Sequence, residues 1–117
     1  MDELWAWLWA FLWTLVLELP VYALWLMPRL RAWWATPLLT LGLNTATHPL
    51  FSWWVLACNP PAAWVAGAEV LIAATEGVLA TMVLRRCDPS RPALARGMLA
   101  ACCANGFSYL VGLLALS

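Results

Sequence analysis

The sequence predicts an all-α polytopic membrane protein, four transmembrane helices in an up-down-up-down bundle, with a single domain over residues 1–117. Three observations carry this reading. Of the 117 residues, 65% are hydrophobic and only 10% charged, whereas a soluble domain carries about a quarter charged residues. Four apolar segments, about 4–27, 37–58, 62–84 and 93–116, each come close to the ~20 residues that a helix needs to cross a hydrocarbon core. The breaks between them, "PRLRAWWATP", "NPPA" and "RRCDPSRP", are short and rich in turn residues. They leave no room for a soluble domain.

The first segment reads as a retained helix rather than a cleaved leader. It opens on Asp2 and Glu3 instead of basic residues, and Glu18 and Pro20 lie inside it with no small-residue cleavage site beyond. The second segment contains "NTATHPLF", residues 44–51, a polar stretch where lipid is expected. The third has a carboxylate at each end of "EVLIAATE", residues 69–76. In the fourth, Asn105 and Ser108 interrupt an apolar run. No long internal repeat is visible, and the tryptophan-rich opening is a bias within one helix.

Charge sets the expected orientation. All six basic residues are arginines, Arg29 and Arg31 in the first loop and Arg85, Arg86, Arg91 and Arg96 in and beside the third. By the positive-inside rule both basic loops are cytoplasmic and both termini lie outside. The same asymmetry argues against dual topology. Cys58, Cys87, Cys102 and Cys103 form no C-x-x-C pair, so small apolar filler is expected rather than a disulfide framework or zinc site.

Depth and angle then pick out candidate functional residues. At 1.5 Å per residue from the cytoplasmic helix ends, Glu18, Asn44 and Glu76 fall roughly 12–14 Å deep. His48 and Asn105 come at roughly 18–20 Å, and Glu69 and Ser108 at roughly 22–25 Å, on the same arithmetic. Glu69 and Glu76 are two turns apart and share a face, as do Asn44, Thr47 and His48. On the first helix Thr14, Glu18 and Tyr22 align, while Trp5, Trp9 and Trp13 point to the opposite side. Pro20 and Pro49 adjoin this layer, and each leaves a carbonyl four residues back, Val16 or Thr45, without its helical donor. Broken helices beside intramembrane carboxylates are one way transporters build ion sites.

These residues together resemble an uncharacterised family of small bacterial four-helix integral membrane proteins. The shared pattern is E-x-P in "ELPVYALW", N-x-x-T-[H/N/Q]-P in "NTATHP", two glutamates seven apart in "EVLIAATE", and A-N-x-x-S-x-x-x-G in "ANGFSYLVG". The resemblance implies the four-helix fold, the bacterial cytoplasmic membrane and the same polar residues; it supplies no activity. Because Asn or Gln can stand in place of the histidine in that family, the resemblance weakens a role for His48 as an obligatory proton shuttle or metal ligand.

Intramembrane carboxylates are costly, so three of them read as functional by default. The favoured expectation is a cation site coupled to protons, built from Glu18, Glu69, Glu76, Asn44, Thr47, His48 and Asn105, with Ser108, Thr14 and Tyr22 as further polar residues. Oxygen ligands of this kind suit a hard divalent cation. Four helices enclose little, so a homo-oligomer or larger membrane complex is expected. The alternatives are an accessory or assembly subunit docked through its tryptophans, and an intramembrane hydrolase with a buried Glu as base. No hydrolase signature is present, so an enzyme is the less favoured reading. Basic residues confined to the membrane surface exclude a nucleic-acid role.

Overall fold

The structure, a computed structural model, describes residues 2–116. They form four helices: α1 (Asp2–Leu26), α2 (Ala35–Cys58), α3 (Ala62–Cys87) and α4 (Leu94–Leu116). These match the expected segments to within a few residues. α2 begins ahead of Pro37, which is tolerated because first-turn N–H groups need no helical acceptor. α3 runs on past its apolar stretch through Arg85 and Arg86, cations that suit the negative end of a helix dipole. The turn between α2 and α3 is set by Asn59, left-handed at φ 42° with its N–H on the Val55 carbonyl. Pro60 and Pro61 follow and prevent the helix from continuing.

α1, α3 and α4 are long and apolar enough to cross a membrane. α2 is not among them, although its 24 residues are long enough, at about 36 Å. Its polar centre lowers its hydropathy, and the most polar of those residues turn inward: Thr36, Thr40 and Asn44 are buried. The bundle measures 45 Å along its long axis, close to the ~40–45 Å of a bilayer with its headgroups.

Packing is uneven around the bundle. α3 and α4 make the tightest seam, α4 also packs broadly on α1, and α2 meets α3 least. The tight seam is rich in small residues: Gly97 lies against Thr81 and Gly77, Gly77 in turn against Met98, and Ala80, Ala100 and Ala104 are buried in the same core. A Cβ on Gly97 would lie 2.9 Å from the Thr81 nitrogen and 3.0 Å from the Gly77 carbonyl oxygen. Small residues allow this close backbone approach, which drives helix association where lipid offers no hydrophobic gain. The apolar core below the polar layer is Tyr22, Leu26, Leu43, Ala80, Leu84 and neighbouring alanines of α4.

Both basic loops lie at one end. Arg29 reaches the Pro92 and Arg91 carbonyls and lies 3.9 Å from the Asp88 carboxylate. Arg96 donates to the Trp25 carbonyl at 2.8 Å, closing the end of α1. Trp5, Trp9 and Trp13 are exposed, on the side of α1 away from buried Glu18. The four cysteines are free and exposed.

Candidate functional site

Six of the expected residues and Tyr22 meet in one hydrogen-bonded network, where Glu18, Glu76 and Asn44 are 0% exposed. Glu18 is held on one carboxylate oxygen by Asn44 Nδ2 at 2.8 Å and approached on the other by Ser108 Oγ at 3.0 Å. Glu76 accepts from Tyr22 Oη at 2.7 Å and Asn105 Nδ2 at 2.8 Å on Oε2, with Thr47 Oγ1 at 2.7 Å from Oε1. Each amide spends its second N–H on its own helix, Asn44 on the Thr40 carbonyl and Asn105 on the Ala101 carbonyl. The two hydroxyls are placed differently. Thr47 Oγ1 also lies 3.1 Å from the Leu43 carbonyl, and Ser108 Oγ 3.1 Å from that of Asn105. A hydroxyl has one hydrogen, so each can donate to the carboxylate, or donate to the backbone carbonyl and accept from the carboxyl group when that is protonated.

Residues placed by the rise alone at different depths therefore touch. Ser108 was expected roughly 10 Å nearer the outer surface than Glu18, yet their side chains bond. Side chains lean toward the N-terminus of their helix. Glu18 and Glu76 lean one way along the bundle, while Asn44, Asn105 and Ser108, on helices running back, lean the other way. The two sets close the gap.

The remaining expected residues stand outside the network. Glu69 is half-buried two turns from Glu76. It lines a crevice of about 350 Å³ with Glu3, Trp7 and Phe51, and a groove of about 470 Å³ with Asn105 and Tyr109. His48 packs edge-on between Phe11 and Phe51, at ring separations of 6.3 and 6.2 Å, and its buried Nε2 has no partner. Thr14 bonds back to the Ala10 carbonyl of its own helix. Pro20 and Pro49 are exposed, and α1 and α2 run unbroken through them. Val16 and Thr45, the residues whose carbonyls lose a donor, are exposed on the same side, away from the polar layer. The broken-helix ion site expected from these prolines is not formed.

Among the described residues, no three His, Cys, Asp or Glu side chains come together as a metal-binding group. The network holds two carboxylates, with all four of their oxygens next to a protein donor. Its free acceptors are the amide oxygens of Asn44 and Asn105, both buried without a partner. Tyr22 was legible as polar and aligned with Glu18, but its bond is to the other glutamate, which helical spacing on α1 could not reveal.

Compared with known protein families, curated proteins and solved structures, the chain matches none.

Proposed function

We propose that this is a small proton-linked cation transporter of the bacterial cytoplasmic membrane, with both termini outside. In this reading Glu18 and Glu76 form its exchanging pair. One observation carries the reading: two carboxylates from different helices are sealed at 0% exposure in one network at mid-height of the bundle. An acidic residue at the centre of a transmembrane helix costs about 3 kcal/mol on insertion scales. Asn or Gln would join the helices by hydrogen bonds at lower cost, so a carboxylate kept at both places points to a group that must gain and lose a proton. The two unpartnered amide oxygens add acceptors to the same region and favour a cation or hydronium over an anion. With two carboxylates rather than three, the site suits a monovalent cation or a proton better than a divalent ion, which takes six or more oxygens.

The accessory-subunit reading is favoured by one feature, the stripe of Trp5, Trp9 and Trp13, each more than half exposed. Such a stripe also fits the contact between copies of a homo-oligomer.

The test is purified protein in liposomes loaded with a pH-sensitive dye under imposed Na⁺, K⁺ or Mg²⁺ gradients. Proton flux driven by one of these gradients, and lost in Glu18→Gln and Glu76→Gln, supports transport. A wild type that moves neither protons nor cations refutes it and leaves the accessory reading.

A further inference from the structure

We propose that the chain is two copies of one hairpin unit, α1–α2 and α3–α4, which build two equivalent carboxylate half-sites about a two-fold axis along the bundle. In this scheme Tyr22 is the residue that makes the half-sites unequal. The functional meaning of this rests on the proton-linked reading above; its geometry does not.

All but one of the bonds to the two carboxylates repeat between the hairpins. α2 presents Asn44-x-x-Thr47, and α4 presents Asn105-x-x-Ser108, the same spacing of amide and hydroxyl. Within each hairpin the asparagine Nδ2 lies 2.8 Å from Oε2 of the glutamate on the preceding helix. Its second N–H goes in both cases, at 3.0 Å, to the carbonyl one turn back. Between hairpins the hydroxyls cross over: Thr47 faces Oε1 of Glu76 at 2.7 Å, and Ser108 faces Oε1 of Glu18 at 3.0 Å. Both asparagine oxygens are left buried and unpartnered. The register continues below the layer. Leu26, two turns after Glu18, and Leu84, two turns after Glu76, are each 0% exposed. The residues preceding the asparagines, Leu43 and Ala104, are both in the core. α1 and α3 start from the same end, so the relating axis runs along the bundle rather than across it.

The repeat is invisible in the letters because only the polar positions are kept. Thr36 and Thr40 on α2 correspond to Gly97 and Ala101 on α4, which differ as freely as any helix-packing residues.

One bond has no counterpart. Tyr22, one turn after Glu18, donates to Glu76 at 2.7 Å. One turn after Glu76 stands Ala80, fully buried and without a donor. Glu76 therefore has three neighbouring donors and Glu18 has two. Within the polar layer every bond between the hairpins starts from a hydroxyl, of Tyr22, Thr47 or Ser108, while the amide bonds stay within a hairpin; the other links between the hairpins are those of Arg29 and Arg96 at the basic end. A small shift of one hairpin against the other releases the three hydroxyls and leaves each glutamate with its own asparagine. Parallel repeats that rock about such an axis are one known plan for alternating access.

Infrared spectroscopy of the full chain in detergent tests this, with the two carboxyl bands assigned by Glu18→Gln and Glu76→Gln. Thr47→Ala is expected to shift the Glu76 band alone, although Thr47 belongs to the hairpin of Glu18. Ser108→Ala is expected to shift the Glu18 band alone, and Tyr22→Phe the Glu76 band alone. In the double variant Tyr22→Ala with Ala80→Tyr, the tyrosine-sensitive band is expected to become that of Glu18. Hydroxyl deletions that act within their own hairpin overturn the proposal. So does a Tyr22→Ala protein that folds but cannot accommodate tyrosine at position 80, because equivalent half-sites must offer equivalent room. If Tyr22→Ala itself does not fold, the crossed pattern of the three single hydroxyl deletions decides alone. The readout needs no flux, so a chain that moves no ion still answers it.

Discussion

Replacing Glu76 by glutamine separates the structural work of the site from its chemistry. The side chain keeps its shape, loses its ability to ionise and gains an N–H₂. Oriented with its oxygen in the place of Oε2, the glutamine still accepts from Tyr22 and Asn105. Its amide nitrogen then faces Thr47, whose hydroxyl turns to the Leu43 carbonyl 3.1 Å away and accepts in return. No existing hydrogen bond is lost and only the second amide N–H is left without a partner, so the expected stability change is about 1–2 kcal/mol. Glu76→Ala is different. Thr47 falls back on Leu43, but the Tyr22 hydroxyl and one Asn105 N–H lose their only acceptor beyond their own helix. At about 1–3 kcal/mol for each unmet buried group, and with interhelical bonds in membranes at the low end, the expected loss is about 2–4 kcal/mol. Reversible unfolding in mixed detergent micelles measures both. Flux in the liposome assay is expected to vanish in both variants. If Glu76→Gln costs as much stability as Glu76→Ala, the network depends on charge rather than on acceptor geometry. If Glu76→Gln keeps full flux, the carboxylate is a structural residue.

Further tests address the scaffold and its orientation. Gly97→Ala drives a methyl against Thr81 and against backbone that cannot move aside, so a loss of about 1–3 kcal/mol is expected; Gly106→Ala, with nothing within 4 Å of the new methyl, is the matched control and is expected to be neutral or slightly stabilising. The hydrogen bond from Ser90 at 2.6 Å, aided by Arg29 and Arg91, holds the Asp88 carboxyl below the ordinary carboxylate value. A depressed folded value means that the contribution is complete above the unfolded value and is lost as pH falls through the folded one, so Asp88→Asn is expected to flatten the acid side of the stability profile, read by thermal unfolding in detergent. In a cysteine-free background, a cysteine at position 59 is expected to label from outside the cell and one at position 90 is not; the reverse pattern inverts the proposed orientation.

Helix number and position were legible because length and apolarity are summed over some twenty residues, and local errors average out. The inward faces were legible too. Glu18 lies opposite the exposed Trp5–Trp9–Trp13 stripe, as 100° per residue requires. Depth was less legible, since a ruler laid along the axis ignores the lean of side chains, which brings Ser108 onto Glu18. Partner choice was not legible at all. Glu69 and Glu76 share a face of α3, yet only Glu76 enters the network, because whether a polar residue meets a partner depends on the neighbouring helix at that height. The prolines misled for a related reason. Pro20 and Pro49 are close in sequence to Glu18 and His48, but two residues or one along a helix is a large rotation, and both rings point outward.

α2 shows why the structural and chemical roles of the layer need not compete. It is the one helix that falls short of membrane-spanning apolarity, and it packs least well on α3. A helix that polar is unfavourable in lipid alone and gains little from the packing of small residues, which is concentrated between α3 and α4. What holds it is the network: Asn44 to Glu18 within its own hairpin, and Thr47 to Glu76 across to the other. The first bond joins α1 to α2, each covering the polar group of the other. The second is the only side-chain hydrogen bond described between α2 and α3, and it ends on a carboxylate. Any event that changes how Glu76 is bonded therefore acts directly on the most weakly held helix. On the proton-linked reading, a proton gained or lost at Glu76 would be felt by α2 through this one contact, Thr47 to Glu76.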